Sequence, residues 1–106
     1  MDEARAIVAF SALGQETRLA TFRMLVKAGA EGITSGEIGE RLGVRQNTMS
    51  TNLGILLTAG LVSRQRQGRA VRYYPDMEGY AAIIKFLIII IITVSLRTIC
   101  RVGMHS

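Results

Sequence analysis

Two short amphipathic stretches set close together around a glycine constrain this chain more than any other feature. The segment EGITSGEIGERLG places Thr34 three residues before Glu37, the spacing of a reciprocal helix N-cap. Ile38 and Leu42 lie on one side of the helix so started, and Gly43 ends it. Val44 and Arg45 make a tight turn into RQNTMSTNLGILL, which runs on to Ala59 and is closed by Gly60. At about 100° per residue, Met49, Leu53, Leu56 and Leu57 gather on one side of this second helix. Asn47, Thr51, Gly54 and Thr58 gather on the other, flanked by Thr48 and Ser50, with no carboxylate among them. Two short helices joined by about three or four residues including glycine make a helix-turn-helix, predicted here over residues 33–60.

The remaining elements follow from periodicity and punctuation. Residues 2–14 read as a helix with Ala6, Ile7, Phe10 and Leu13 along one side. Gln15 to Ala28 reads as a second helix, with Leu19, Phe22, Leu25 and Val26 recurring at three and four, stopped by Gly29. LVSRQRQ and RAVRYYP alternate apolar and charged residues around Gln67-Gly68, which predicts a hairpin over 61–75 with Leu61, Val71 and Tyr73 inward and the arginines outward. A final helix is predicted over 77–99. The whole chain, 1–106, is expected to form one domain, mainly α with a small β-hairpin.

Charge is unevenly placed. The net +5 falls entirely on one acid-free region, residues 44–75, which carries Arg45, Arg64, Arg66, Arg69 and Arg72; the flanking regions nearly balance. A clustered basic block of this kind favours a polyanion as partner. In a helix-turn-helix the second helix enters the major groove with its N-terminal residues nearest the base edges. Gln46, Asn47, Thr48, Ser50 and Thr51 occupy that half here, beside Arg45. Asn and Gln can pair with adenine, and Thr can meet a thymine methyl. Arg66, Arg69 and Arg72 flank the hairpin tip, within reach of phosphates or a narrow minor groove. The expected partner is therefore double-stranded DNA.

On these residues the chain resembles the ArsR/SmtB winged-helix repressors. ALGQETRLATFRMLV is similar to the family's L-x-x-x-x-R-L-x-I-L-x-x-L opening, and VRQNTMSTNLGILLTAGLVSRQRQGRAVRYY to its recognition helix and wing. The resemblance covers residues 8 to about 80. It implies a winged helix-turn-helix, a homodimer joined through the first and last helices, and a repressor that leaves a palindromic operator when it senses a ligand or a metalloid such as arsenite. The chain also departs from the family. A basic pair followed by Lys is common in the recognition helix, where Thr51, Asn52 and Gly54 stand here. Metal sensors of the family carry cysteines where this chain has Ile33, Thr34 and Ser35, or His and carboxylates on a last helix that has neither over 80–100.

Cys100 is the sole cysteine, so no internal disulfide forms, and a reducing cytoplasm is expected. The acidic opening MDEARAIVAF does not read as a secretory signal. Cys100, Met104 and His105 cluster near the end, but a thiolate-rich site wants about three or four ligands. Cys100 is thus only a weak metal candidate, and no cofactor is expected. Phe86 to Leu96 lacks charge over 11 residues, short of the roughly 20 that span a bilayer, so no membrane partner is expected. Five consecutive isoleucines, Ile88 to Ile92, nevertheless make a helix apolar all round that must be covered on several sides. The same helix of a second copy can cover one side by an isologous contact. An alternative of another class is an interaction module on a protein or membrane surface, anchored by this helix. No acid pair, triad or phosphate-cradling glycine loop is present, so no enzymatic activity is expected.

Overall fold

The computed structural model describes residues 1–103, with side chains described as far as Ile99. The elements follow in the order α1 (Glu3–Leu13), α2 (Glu16–Ala28), a 3-10 turn (Gly29–Glu31), β1 (Ile33–Thr34), α3 (Ser35–Leu42), α4 (Gln46–Thr58), β2 (Val62–Gln67), β3 (Ala70–Pro75) and α5 (Met77–Gly103). This is a winged helix-turn-helix.

The starts of α1, α2 and α3 are each satisfied by a side chain. Asp2 Oδ1 accepts the Arg5 N–H at 2.8 Å, Gln15 Oε1 that of Arg18 at 3.0 Å, and Thr34 Oγ1 that of Glu37 at 3.3 Å. Only half of the reciprocal box expected at Thr34 forms. The Glu37 carboxylate turns forward to Arg41, one turn on, at 2.7 Å. That exposed pair holds the carboxylate without help from the cap. Gly43 closes α3 in the left-handed region at φ 65°, and the next N–H, that of Val44, reaches back to the Gly39 carbonyl at 2.9 Å.

The wing has three strands rather than two. β3 lies between β1 and β2, both antiparallel to it, with Ile33 opposite Tyr73 and Thr34 opposite Arg72. A two-residue strand carries no readable period, so only pairing with β3 reveals it. Gly32, just before it, has φ 62°, and a Cβ there would sit 2.6 Å from the Tyr73 carbonyl oxygen and the Tyr74 ring. Close passage of the chain under Tyr74 therefore requires glycine.

Leu25, Ile38, Met49, Leu53, Leu56 and Leu61 are fully enclosed at the centre, with Phe22, Ile33, Val62 and Tyr73 around them. Each such side chain contributes about 1.5–3 kcal/mol of burial. α1 departs from the expected face. Ala6, Ala9 and Ala12 are its buried residues, and Ile7 stands 62% exposed. Small residues at that spacing let α1 approach closely, which turns the large ones outward. Leu19 on α2 is exposed too, while Thr21 is buried and donates its hydroxyl to the Thr17 carbonyl at 2.7 Å.

The last helix leaves the domain. Its start is capped by Asp76 Oδ1, which accepts from the Glu78 and Gly79 N–H groups at 3.1 Å. Tyr80 meets Phe22 with ring centroids 6.0 Å apart, Phe86 meets Phe10 at 6.1 Å, and Ile83 is buried. Beyond Phe86 it is largely exposed among the described residues: Ile88 to Ile92 are between 44% and 63% exposed. The projecting arm stretches the molecule to 64 × 24 × 23 Å. The span Met77–Ile99 is 23 residues, long and apolar enough to cross a membrane by length and composition. This corrects the sequence estimate, which measured only the charge-free tract; Lys85 and Arg97 interrupt the apolar helix without ending it.

Candidate nucleic-acid interface

α3 and α4 meet at a corner held by one side chain. Gln46, the first residue of α4, donates from Nε2 to the Ser35 carbonyl at 3.3 Å. Its amide lies against Gly39, where a Cβ would collide with it and come within 2.9 Å of the Val44 carbonyl. The sequence reading placed Gln46 at the entrance of the base-reading face; the structure employs its amide in joining the two helices. Arg45, exposed at the N-cap of α4, makes no side-chain capping bond.

Asn47, Thr48, Ser50 and Thr51 are all exposed on the N-terminal half of α4. Asn47 Oδ1 accepts the Thr48 N–H at 2.9 Å, and the Thr51 hydroxyl donates to the Asn47 carbonyl at 3.1 Å. These local bonds orient the two side chains while leaving the Asn47 amide group available as a donor. The polar face read as continuous from Asn47 to Thr58 is divided: Thr51, Gly54 and Thr58, with Ile55, line a cleft against α1. The surface open to a duplex is the first half of the helix.

A part-buried polar pair holds α4 from behind. Asn52 is 7% exposed and accepts from Arg18 Nη1 at 3.1 Å, while Arg18 Nε donates to the Ala12 carbonyl at 2.6 Å. One guanidinium thus joins the end of α1, the start of α2 and the middle of α4. Sequence reasoning missed this. Its signal was Asn52, a polar residue at a helical position between Met49 and Leu53 on the apolar side.

In the wing, Arg66 on β2 lies opposite Val71 and Arg64 opposite Tyr73. Gly68, at φ 63°, and Arg69 form the tip. Arg66 and Arg69 are exposed. Arg72 differs from the outward cation expected. Its Nε donates to Gln67 Oε1 at 2.9 Å, and its Nη1 reaches the Glu31 and Gly32 carbonyls at 3.2 Å. The guanidinium ties the wing to the turn before β1, which the unforeseen pairing of Thr34 with Arg72 brings alongside.

No carboxylate falls within residues 44–75, so α4 with its N-cap and the wing carry five arginines, Arg45, Arg64, Arg66, Arg69 and Arg72, and no acid. Among the described residues no three His, Cys, Asp or Glu gather as a metal ion would require. The side chain of Cys100, with Met104 and His105, lies outside the described residues.

A family model described as a helix-turn-helix domain matches residues 13–65. The chain is similar to a putative arsenical resistance operon repressor of Halobacterium salinarum, 37% identical over 64% of this chain and 56% of that protein. It therefore spans little more than half of that relative's length. An uncharacterized HTH-type transcriptional regulator of Bacillus subtilis, YbzH, is 34% identical over 76% of this chain and 93% of its own length. Among solved structures, an ArsR-like transcriptional regulator from Rhodococcus sp. RHA1 superposes with a TM-score of 0.77 at 25% identity, covering 92% of this chain and 89% of that one.

Proposed function

Because the chain belongs to the ArsR-type family of helix-turn-helix transcriptional regulators, we propose that it is a homodimeric repressor binding a specific duplex DNA site in the cytoplasm. The observation that carries this reading is the exposed, acid-free first half of α4 set beside the free arginines of the wing. Asn47, Thr48, Ser50 and Thr51 read base edges. Arg45, Arg66 and Arg69 contact phosphates and fix the register. Gln46 and Arg72 hold the corner and the wing in place. The exposed apolar residues of α1 and α5, Ile7, Val8 and the isoleucines from Ile88, supply the surface for a second copy. The test is anisotropy titration on DNA selected from a random-fragment pool. Asn47→Ala should weaken selected DNA by about 1–3 kcal/mol and random DNA hardly at all; equal loss on both removes Asn47 as a base reader.

Release by a ligand belongs to the same reading. The name of the Halobacterium relative makes arsenite the first inducer to assay. Arsenite that leaves the selected complex intact discards that role and keeps the repressor.

One observation favours a second reading, in which α5 seats the domain on a membrane: Met77–Ile99 is long and apolar enough to cross one, and its apolar stretch is 6% buried. Lys85 and Arg97 would then snorkel to the headgroups. Flotation with lipid vesicles, lost on truncation after Lys85, supports this reading. A dimer that does not float supports the first.

A further inference from the structure

Two side-chain amides stand at the start of α4, and pairing with adenine takes both ends of one of them. The oxygen must accept from the adenine amine, and an N–H must donate to N7. Neither amide has both ends free. Gln46 commits its Nε2 to the Ser35 carbonyl at 3.3 Å, inside the α3–α4 corner. Asn47 commits its oxygen. Arg45 gives α4 no side-chain cap, and the helix takes its first backbone bond from the Met49 N–H to the Arg45 carbonyl at 2.9 Å. The Thr48 N–H, one residue earlier, is an orphan donor of the helix start, and Asn47 Oδ1 accepts it at 2.9 Å. A backbone N–H only donates, so the atom facing it is the oxygen, and the amide presents its two N–H groups outward.

No other exposed side chain on this half of α4 has a fixed outward donor. The Thr51 hydroxyl gives its proton to the Asn47 carbonyl at 3.1 Å, so its lone pairs and methyl are what remain. The Thr48 and Ser50 hydroxyls rotate to donate or accept as a partner requires. In the major groove guanine sets two acceptors side by side, N7 and O6. Adenine sets a donor beside its acceptor, and cytosine offers a donor alone. We infer that Asn47 reads guanine, donating to its N7 and O6 edge while the amide oxygen stays on the Thr48 N–H. This rests on the DNA-binding function proposed above and names the base that one position of the site must carry.

The test is selection of duplexes from a random pool by the full chain, then anisotropy on single-base variants of the selected site. Replacing one particular guanine of each half-site by adenine should weaken binding about tenfold or more. Replacing it by 7-deazaguanine, which lacks the N7 acceptor, should weaken binding as well. In Asn47→Ala both losses should vanish, the coupling expected of a direct contact. Asn47→Asp is the sharper variant. Aspartate still accepts the Thr48 N–H, so the helix start stays satisfied, yet it offers only acceptors outward. Preference at that position should pass from guanine to cytosine, whose amine donates. Thermal melts of both variants establish that each is folded. An Asn47-dependent base other than guanine overturns the inference, as does a guanine preference that survives Asn47→Ala, which would assign it to Arg45. A guanine preference unchanged in Asn47→Asp overturns it too. A chain that binds all duplexes alike, or none, sinks the proposed function together with this inference. A chain that selects a sequence but fails these substitutions sinks the guanine assignment alone.

Discussion

The wing offers a quantitative test because its arginines divide by geometry into two kinds. Arg66 and Arg69 are exposed, whereas Arg72 is bound to Gln67 and to two backbone carbonyls. Neutralising a phosphate of B-DNA contributes about −0.9 to the slope of log affinity against log salt. Arg66→Ala with Arg69→Ala removes two cations from each wing, hence about four from a dimer, and should flatten the slope by roughly 3.6. Between 50 and 200 mM salt the native protein should then lose roughly 150-fold more affinity than the variant. Arg72→Ala should act on stability instead. Its loss frees the wing from the turn before β1, at about 1 kcal/mol for bonds this accessible, or roughly 4–8 °C in melting temperature. The assay is anisotropy on one duplex across a salt series, with thermal melts in parallel. A double variant with an unchanged slope would remove Arg66 and Arg69 from the phosphate contacts. An Arg72→Ala slope as flat as the double variant's would show that the tie to Glu31 and Gly32 opens on DNA.

Three further outcomes are expected. Asn52→Leu should cost about 1–3 kcal/mol in urea unfolding, because Arg18 Nη1 loses its buried acceptor; a neutral or stabilised variant would show that the polar link between α2 and α4 is passive. Gly79→Ala should destabilise by roughly 1–3 kcal/mol, because its Cβ would collide with the Gly60 carbonyl, and a gain from helix propensity would refute that close approach. Gly39→Ala should weaken DNA binding more than Thr34→Ala at matched stability, because it forces Gln46 out of the α3–α4 corner; parallel losses would mean that the corner only supports the fold.

Much of this architecture was legible because its elements are regular. Periods of three and four gave every helix to within a residue or two over α1 to α4, and alternation with Gly68 gave β2 and β3. Interactions without a local pattern were hidden. β1 is two residues long, so nothing distinguishes Ile33 and Thr34 from a loop until β3 lies beside them. Arg72 and Gln46 read as free polar residues because their partners, Gln67 apart, are backbone carbonyls, which a sequence shows at every position alike. Ile7 was placed inside by hydrophobicity, yet alanines took the inner face of α1, where distance between helices decides. Asn52 and Arg18 stand 34 residues apart and share no motif. The candidate interface was thus legible as a surface, whereas the bonds that stiffen it were not.

Gly79 gives the long final helix a mechanical meaning. The backbone of α5 rests directly on Gly60, just past the end of α4, and the Asp76 N–H is bonded to the Leu61 carbonyl at 2.9 Å. Recognition helix and projecting arm are therefore hinged at one stop with no side chain between them. From Gly79 to Gly103 the arm is roughly 36 Å long at 1.5 Å per residue, so a tilt of about 5° at the stop swings its far end by about 3 Å. Where two such arms are clamped together, their pivot angle sets the distance between the two reading heads. Half-site spacing would then be written in a glycine–glycine joint, far from any residue that touches a base.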